Sequence, residues 1–254
     1  MGLFLTTALA IGVSTVAGTV IGMLIRRIPH RYNDLILGGA SGIMLASAVL
    51  GLIVPASESV VRYALLQIAA GMFAGAFLVS VLDRLVPHLH NLAGLDRETH
   101  PRNEGTGKVL LFVSAIAMHK LPEGLAAGVS FGTGDAGDIL TVTGSLALQN
   151  VPESVVIVAP LLAIGVTLRR TFLISVLIGA VSVAGMVTGY LLIHAAAGFV
   201  PFFLSFAGGA MLYVVSDEMI PETHSHGYEK SATFAMLSGF LLVLIFQNIM
   251  ENAG

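Results

Sequence analysis

Eight stretches of about 20 mostly apolar residues follow one another with short gaps, near 3–25, 35–54, 61–82, 109–131, 139–168, 171–197, 202–220 and 232–250. That is the length a helix needs to cross the hydrocarbon core of a bilayer. In lipid each backbone N–H and C=O must find its partner within the protein, which for isolated apolar runs of this length means helix. The expected fold is all-α: a polytopic membrane protein with eight transmembrane helices, one transmembrane domain over residues 1–254. The fifth stretch is long enough to tilt, or to divide into two pieces near Pro160. Only 11% of the residues are charged, under half the roughly 25% of a soluble domain.

Of the 12 Lys and Arg, most fall in alternate gaps: Arg26, Arg27 and Arg31 after the first stretch, Arg84, Arg97, Arg102 and Lys108 after the third, Arg169 and Arg170 after the fifth, and Lys230 after the seventh. Positive charge stays on the cytoplasmic side, so both termini are expected outside the cell (inner or plasma) membrane. The longest gap, 83–108, is then a flexible cytoplasmic loop between helices three and four, carrying His88, His90 and His100. Cys is absent, which excludes disulfides, iron–sulfur clusters and thiolate-bound zinc. A net charge of −3 without a basic patch argues against nucleic acid as a partner.

Two short polar runs interrupt the fourth and fifth stretches: His119-Lys120-Leu121-Pro122-Glu123-Gly124 and Gln149-Asn150-Val151-Pro152-Glu153-Ser154. Each puts a metal-capable side chain four residues before a glutamate, and positions i and i+4 share a helix face. Ionisable groups deep in an apolar segment are costly and mark functional sites. Pro122 and Pro152 each free the carbonyl four residues back, and broken helices near the midplane are where transporters build ion sites. Imidazole, carboxamide and two carboxylates form an N/O donor set suited to zinc, manganese, iron(II), cobalt or nickel. Two buried carboxylates without a cation would repel or take up protons, which favours a divalent ion.

These two runs resemble the signature motifs of the ZIP family of divalent metal transporters. Gly42-Ile43-Met44-Leu45-Ala46 is similar to that family's second helix and Asp217-Glu218-Met219-Ile220-Pro221-Glu222 to its seventh. The resemblance implies a ZIP-like eight-helix bundle and a metal site between helices four and five, with His119, Glu123, Gln149 and Glu153 as ligands and Met44 approaching from helix two. It also implies uptake toward the cytoplasm, movement of helices one, four, five and six against the rest, an acidic exit at Asp217, Glu218 and Glu222, and a possible homodimer. The metal is cargo, and no cofactor is expected.

The chain departs from the family pattern in one respect. Many relatives hold a second metal, bound partly by an asparagine after the histidine and a glutamate in helix six. Here that asparagine is Lys120, and Val181-Ser182-Val183-Ala184-Gly185 contains no acid. The expectation is a single-ion site in which the Lys120 ammonium supplies the charge of the missing ion, with Asn150 a remnant of the second site. Lys120 turned toward solvent is the alternative, since neighbouring helical residues point 100° apart. On the outer side Asp135 is a candidate entrance, and Asp138 is expected to cap helix five. His224 and His226 follow the acidic exit and extend it as a weak transfer site.

Two other classes stay open on the residues alone. A proton-coupled carrier of a small organic solute would use Lys120 and the glutamates without metal. An intramembrane metallohydrolase would need a paired-histidine motif such as His-Glu-x-x-His, and no run of that form occurs.

Overall fold

The computed structural model describes residues 2–25, 28–59, 61–85, 117, 119–163 and 165–253, with the side chains of 85 and 251–253 excepted. Among them are α1 (Gly2–Ile25), α2 (His30–Ala48), α3 (Ala64–Leu85), α4 (119–129), α5 (Ala136–Ala163), α6 (Leu168–Ala195), α7 (Val200–Val214) and α8 (Glu229–Ala253). No strand occurs among the described residues. Seven of these helical runs are long and apolar enough to cross a bilayer, and α4 is the described part of the fourth predicted span. The protein is an all-α, polytopic membrane protein. The loop after α3, with His88, His90 and His100, lies outside the described residues.

Helix ends follow the local chemistry. α5 stops before Gly165, whose φ of 88° is the left-handed conformation glycine adopts without strain. The N–H groups of Gly165 and Val166 return to Leu162 and Leu161 at 3.1 and 3.0 Å, closing a Schellman turn. That turn ends the helix about five residues before the apolar run does. α5 is otherwise continuous through Pro152 and Pro160, so it does not divide in two. At its start Asp135, not Asp138, is the cap: its Oδ1 accepts from the Asp138 N–H at 3.1 Å. The N-cap side chain reaches the N–H three residues on, so the aspartate nearer the turn takes that role and Asp138 falls inside the helix.

Two helices widen where a proline follows. α2 runs through a π-turn, Val49–Ile53, into a last helical turn, Val54–Glu58, and α7 through a π-turn, Val215–Met219, into Ile220–Thr223. Pro55 and Pro221 each lack an N–H and would clash with the carbonyl four residues back, at Gly51 and Asp217. One looser turn relieves both problems. The second of these turns carries Asp217 and Glu218.

The helices pack through glycine. α1 lies against α5 and α6, α3 against α7, and α8 against α2, while α2 also meets α5. A Cβ at Gly18 would stand 2.3 Å from the Val151 carbonyl oxygen, and one at Gly75 2.0 Å from that of Phe206. α4 and α6 are joined in the same way: a Cβ at Gly124 would lie 1.9 Å from the Ser182 oxygen and one at Gly128 2.1 Å from that of Met186. Such backbone contact is the small-residue packing of membrane helices. Gly124→Ala is accordingly expected to lower stability by about 3 kcal/mol, since two helix backbones must separate. Gly12→Ala, whose Cβ would meet only Val183 at 3.6 Å, should change it little. Thermal melting in detergent compares the two, and equal melting temperatures would sink this account of the seam.

The core lies along α2, α5 and α7, with Met44, Leu146, Leu204 and Met211 almost fully buried. Outward faces are apolar as well: Leu65, Phe73 and Phe77 on α3, and Phe234, Leu237 and Leu241 on α8, are more than half exposed. Such faces suit contact with lipid tails.

Candidate metal centre

α4 and α5 bring their two polar runs together. Glu123 is 3% exposed and Lys120 2%. The Lys120 ammonium donates to Glu123 Oε2 at 2.5 Å, to Asn150 Oδ1 at 2.7 Å and to Glu153 Oε2. One lysine thus spans both carboxylates, and its side chain ends among them instead of in solvent. An ammonium has three protons, and here each has an acceptor. Asn150 is oriented in turn, its Nδ2 donating to Ser14 Oγ of α1 at 3.3 Å. Asn150 and Ser14 therefore fix where the ammonium sits, a role that the i, i+4 pattern did not reveal.

With both carboxylates ionised, one ammonium balances only one of them. Unused donors surround the pair. Gln149 is fully buried, yet neither its Oε1 nor its Nε2 has a hydrogen-bond partner, and Glu153 Oε1 is likewise buried and unpartnered. Buried polar groups are rarely left so, and three orphaned atoms on adjacent turns of α5 suit a ligand.

His119 takes a different direction. Its Nε2 lies 2.8 Å from Glu218 Oε1 on the π-turn of α7. Helical side chains lean toward the N-terminus, so His119 reaches one turn below Glu123, to the level of that π-turn. The structure therefore joins His119 to the acidic end of α7, and Glu123 and Glu153 to Lys120. Among the described residues no three His, Asp or Glu side chains present donors converging on one point. Met44 is buried in the core on α2. Asp217 is exposed, and Glu218 and Glu222 are partly buried. Asp135 is exposed at the start of α5.

A family model described as ZIP Zinc transporter matches residues 88–247. The chain is 35% identical over 253 residues to the Zinc transporter GufA of Myxococcus xanthus, which spans 96% of this chain and 98% of that one. It is also 35% identical over 253 residues to the Zinc transporter ZIPB of Bordetella bronchiseptica, covering 93% and 78%. This chain belongs to the ZIP family.

The Zinc transporter ZupT of Chlorobium chlorochromatii is a more distant relative, 27% identical over 248 residues and 92% of each chain. ZIP proteins are membrane transporters, not enzymes, and this member is a multi-pass protein of the cell membrane. The face of α6 opposite residues 121–128 is where the sequence departs from the family pattern. It consists of Ser182, Gly185, Met186 and Gly189, none of which offers a carboxylate. Lys120 Nζ, not a helix-six acid, is what meets Glu123 and Glu153.

Proposed function

We propose that this ZIP protein carries a divalent metal cation, zinc first and iron, manganese or cobalt as alternatives, into the cytoplasm through a single-ion site between α4 and α5. The ligands in this reading are His119, Glu123, Gln149 and Glu153, with Met44 beside them. The observation that carries it is the pair of Glu123, buried, and Glu153, part-buried, bridged by one ammonium and flanked by the unpartnered Gln149 amide. A divalent ion is the partner that the spare negative charge and the orphaned oxygens both require.

Lys120 acts as a fixed charge in place of a second ion. Coulomb energies in a poorly hydrated site run to several kcal/mol, so one ammonium changes how many ions the site accepts. Arrival of the metal draws His119 away from Glu218, and Glu218 with Asp217 and Glu222 then receives the departing ion. Asp135, between α4 and α5, serves as the outer entrance. The cytoplasmic loop expected at 83–108 begins after α3, which holds 83–85 in its last turn, and this loop and the homodimer belong to the same reading.

Zinc uptake into proteoliposomes tests the proposal. Uptake is expected with the purified chain and should vanish with a membrane-impermeant chelator outside. Uptake of no divalent cation, or proton-driven solute uptake indifferent to chelator, would overturn it.

A further inference from the structure

The turn between α7 and α8 carries a second cluster of donors, apart from α4 and α5. Asp34, in the second turn of α2, has a fully buried side chain. Its Oδ1 lies 3.1 Å from Nδ1 of His226, and its Oδ2 is buried with no hydrogen-bond partner. His30 precedes Asp34 by four residues and so shares its helix face. The His30 ring stacks on that of His226, with centroids 4.6 Å apart and planes 26° from parallel. Helix geometry accounts for the first two residues, and the turn brings the third from the far end of the chain.

A buried carboxylate oxygen is rarely left without a partner, and a cation would satisfy this one. Two imidazoles and one carboxylate are a donor set that zinc-class ions take, water filling the remaining position. Neighbouring His224 is committed elsewhere: its Nδ1 is 2.8 Å from the Ile220 carbonyl oxygen and its Nε2 3.1 Å from Thr233 Oγ1. We infer that His30, Asp34 and His226 form a second divalent-cation site, which fastens the turn at 224–228 to the start of α2. In the present arrangement the three do not converge on one point. Closure requires the His30 ring to leave its stack, and His30 is exposed, where side-chain rotation takes only picoseconds to nanoseconds. All three ligands belong to α2 and the turn leading into α8, so the site does not depend on the transport reading.

Calorimetric titration of the full chain in detergent with zinc chloride tests this. The unmodified protein should show a binding step that survives Glu123→Gln, disappears in His226→Ala and weakens about tenfold or more in His30→Ala, the scale of effect that partners of a metal site have. His30 is exposed, so its replacement leaves the packing intact and decides the matter even if His226→Ala fails to fold. Identical zinc steps in the unmodified protein, His30→Ala and His226→Ala would overturn the inference. Proteoliposomes that take up no divalent cation while this step persists would sink the transport reading and leave the cation site standing.

Discussion

Lys120→Ala is expected to destabilise the protein by about 3–5 kcal/mol, the usual cost of removing one partner from a buried ion pair. The lysine is 2% exposed and satisfies Glu123, Glu153 and Asn150 together. Without it one buried and one part-buried carboxylate face each other across the space it filled. Melting in detergent should show the loss, and added zinc should restore part of it, because a divalent ion replaces the missing charge and binding stabilises by mass action. The companion substitution, Lys120→Asn, should raise the number of ions bound per chain by one relative to the unmodified protein. That comparison is a difference, so a cation site elsewhere does not affect it. A melting temperature unchanged in Lys120→Ala, or an ion count unchanged in Lys120→Asn, would show that the ammonium does not stand in for a metal.

Glu123→Gln should reduce zinc uptake into proteoliposomes by about a hundredfold or more. Altering a group that merely orients a metal ligand costs roughly 10–100-fold in affinity or activity, and Glu123 is proposed to bind the ion directly. The substitution preserves volume, and the amide oxygen can still accept from Lys120, so the α4–α6 seam beside Gly124 should remain. What disappears is the negative charge, leaving Lys120 and Glu153 balanced and no net attraction for a cation. Uptake within a few-fold of the unmodified protein would mean that the ion travels by another route.

Much of this was legible in the residues because lipid leaves a chain few choices. All eight predicted spans correspond to helices or, for the fourth, to a helix described from residue 119. The errors were at boundaries: the α5 stop at Gly165, and a cap assigned to Asp138 that Asp135 supplies. Both depend on hydrogen bonds of single turns, which hydropathy averages away. The π-turns before Pro55 and Pro221 had a signal, a proline immediately after an apolar run, whereas the bends expected from the sequence were at Pro122, Pro152 and Pro160, inside their runs. His30 and Asp34 gave less warning still. Asp34 looks like an ordinary polar residue near a helix start until the α7–α8 turn folds over it.

The residue pattern alone determined that this chain forms membrane-spanning helices and that two of them carry paired donors, since helical periodicity fixes which side chains share a face. Which partner each donor meets was decided by packing. His119 and Glu123 share a face, yet His119 reaches Glu218 on α7, while Glu123 is joined to Glu153 of α5 through Lys120, three residues before it on α4. Their different heights along α4 set them against different neighbouring helices. A helix's own geometry is local, whereas the position of the π-turn of α7 beside it depends on backbone contacts made through glycines elsewhere in the bundle.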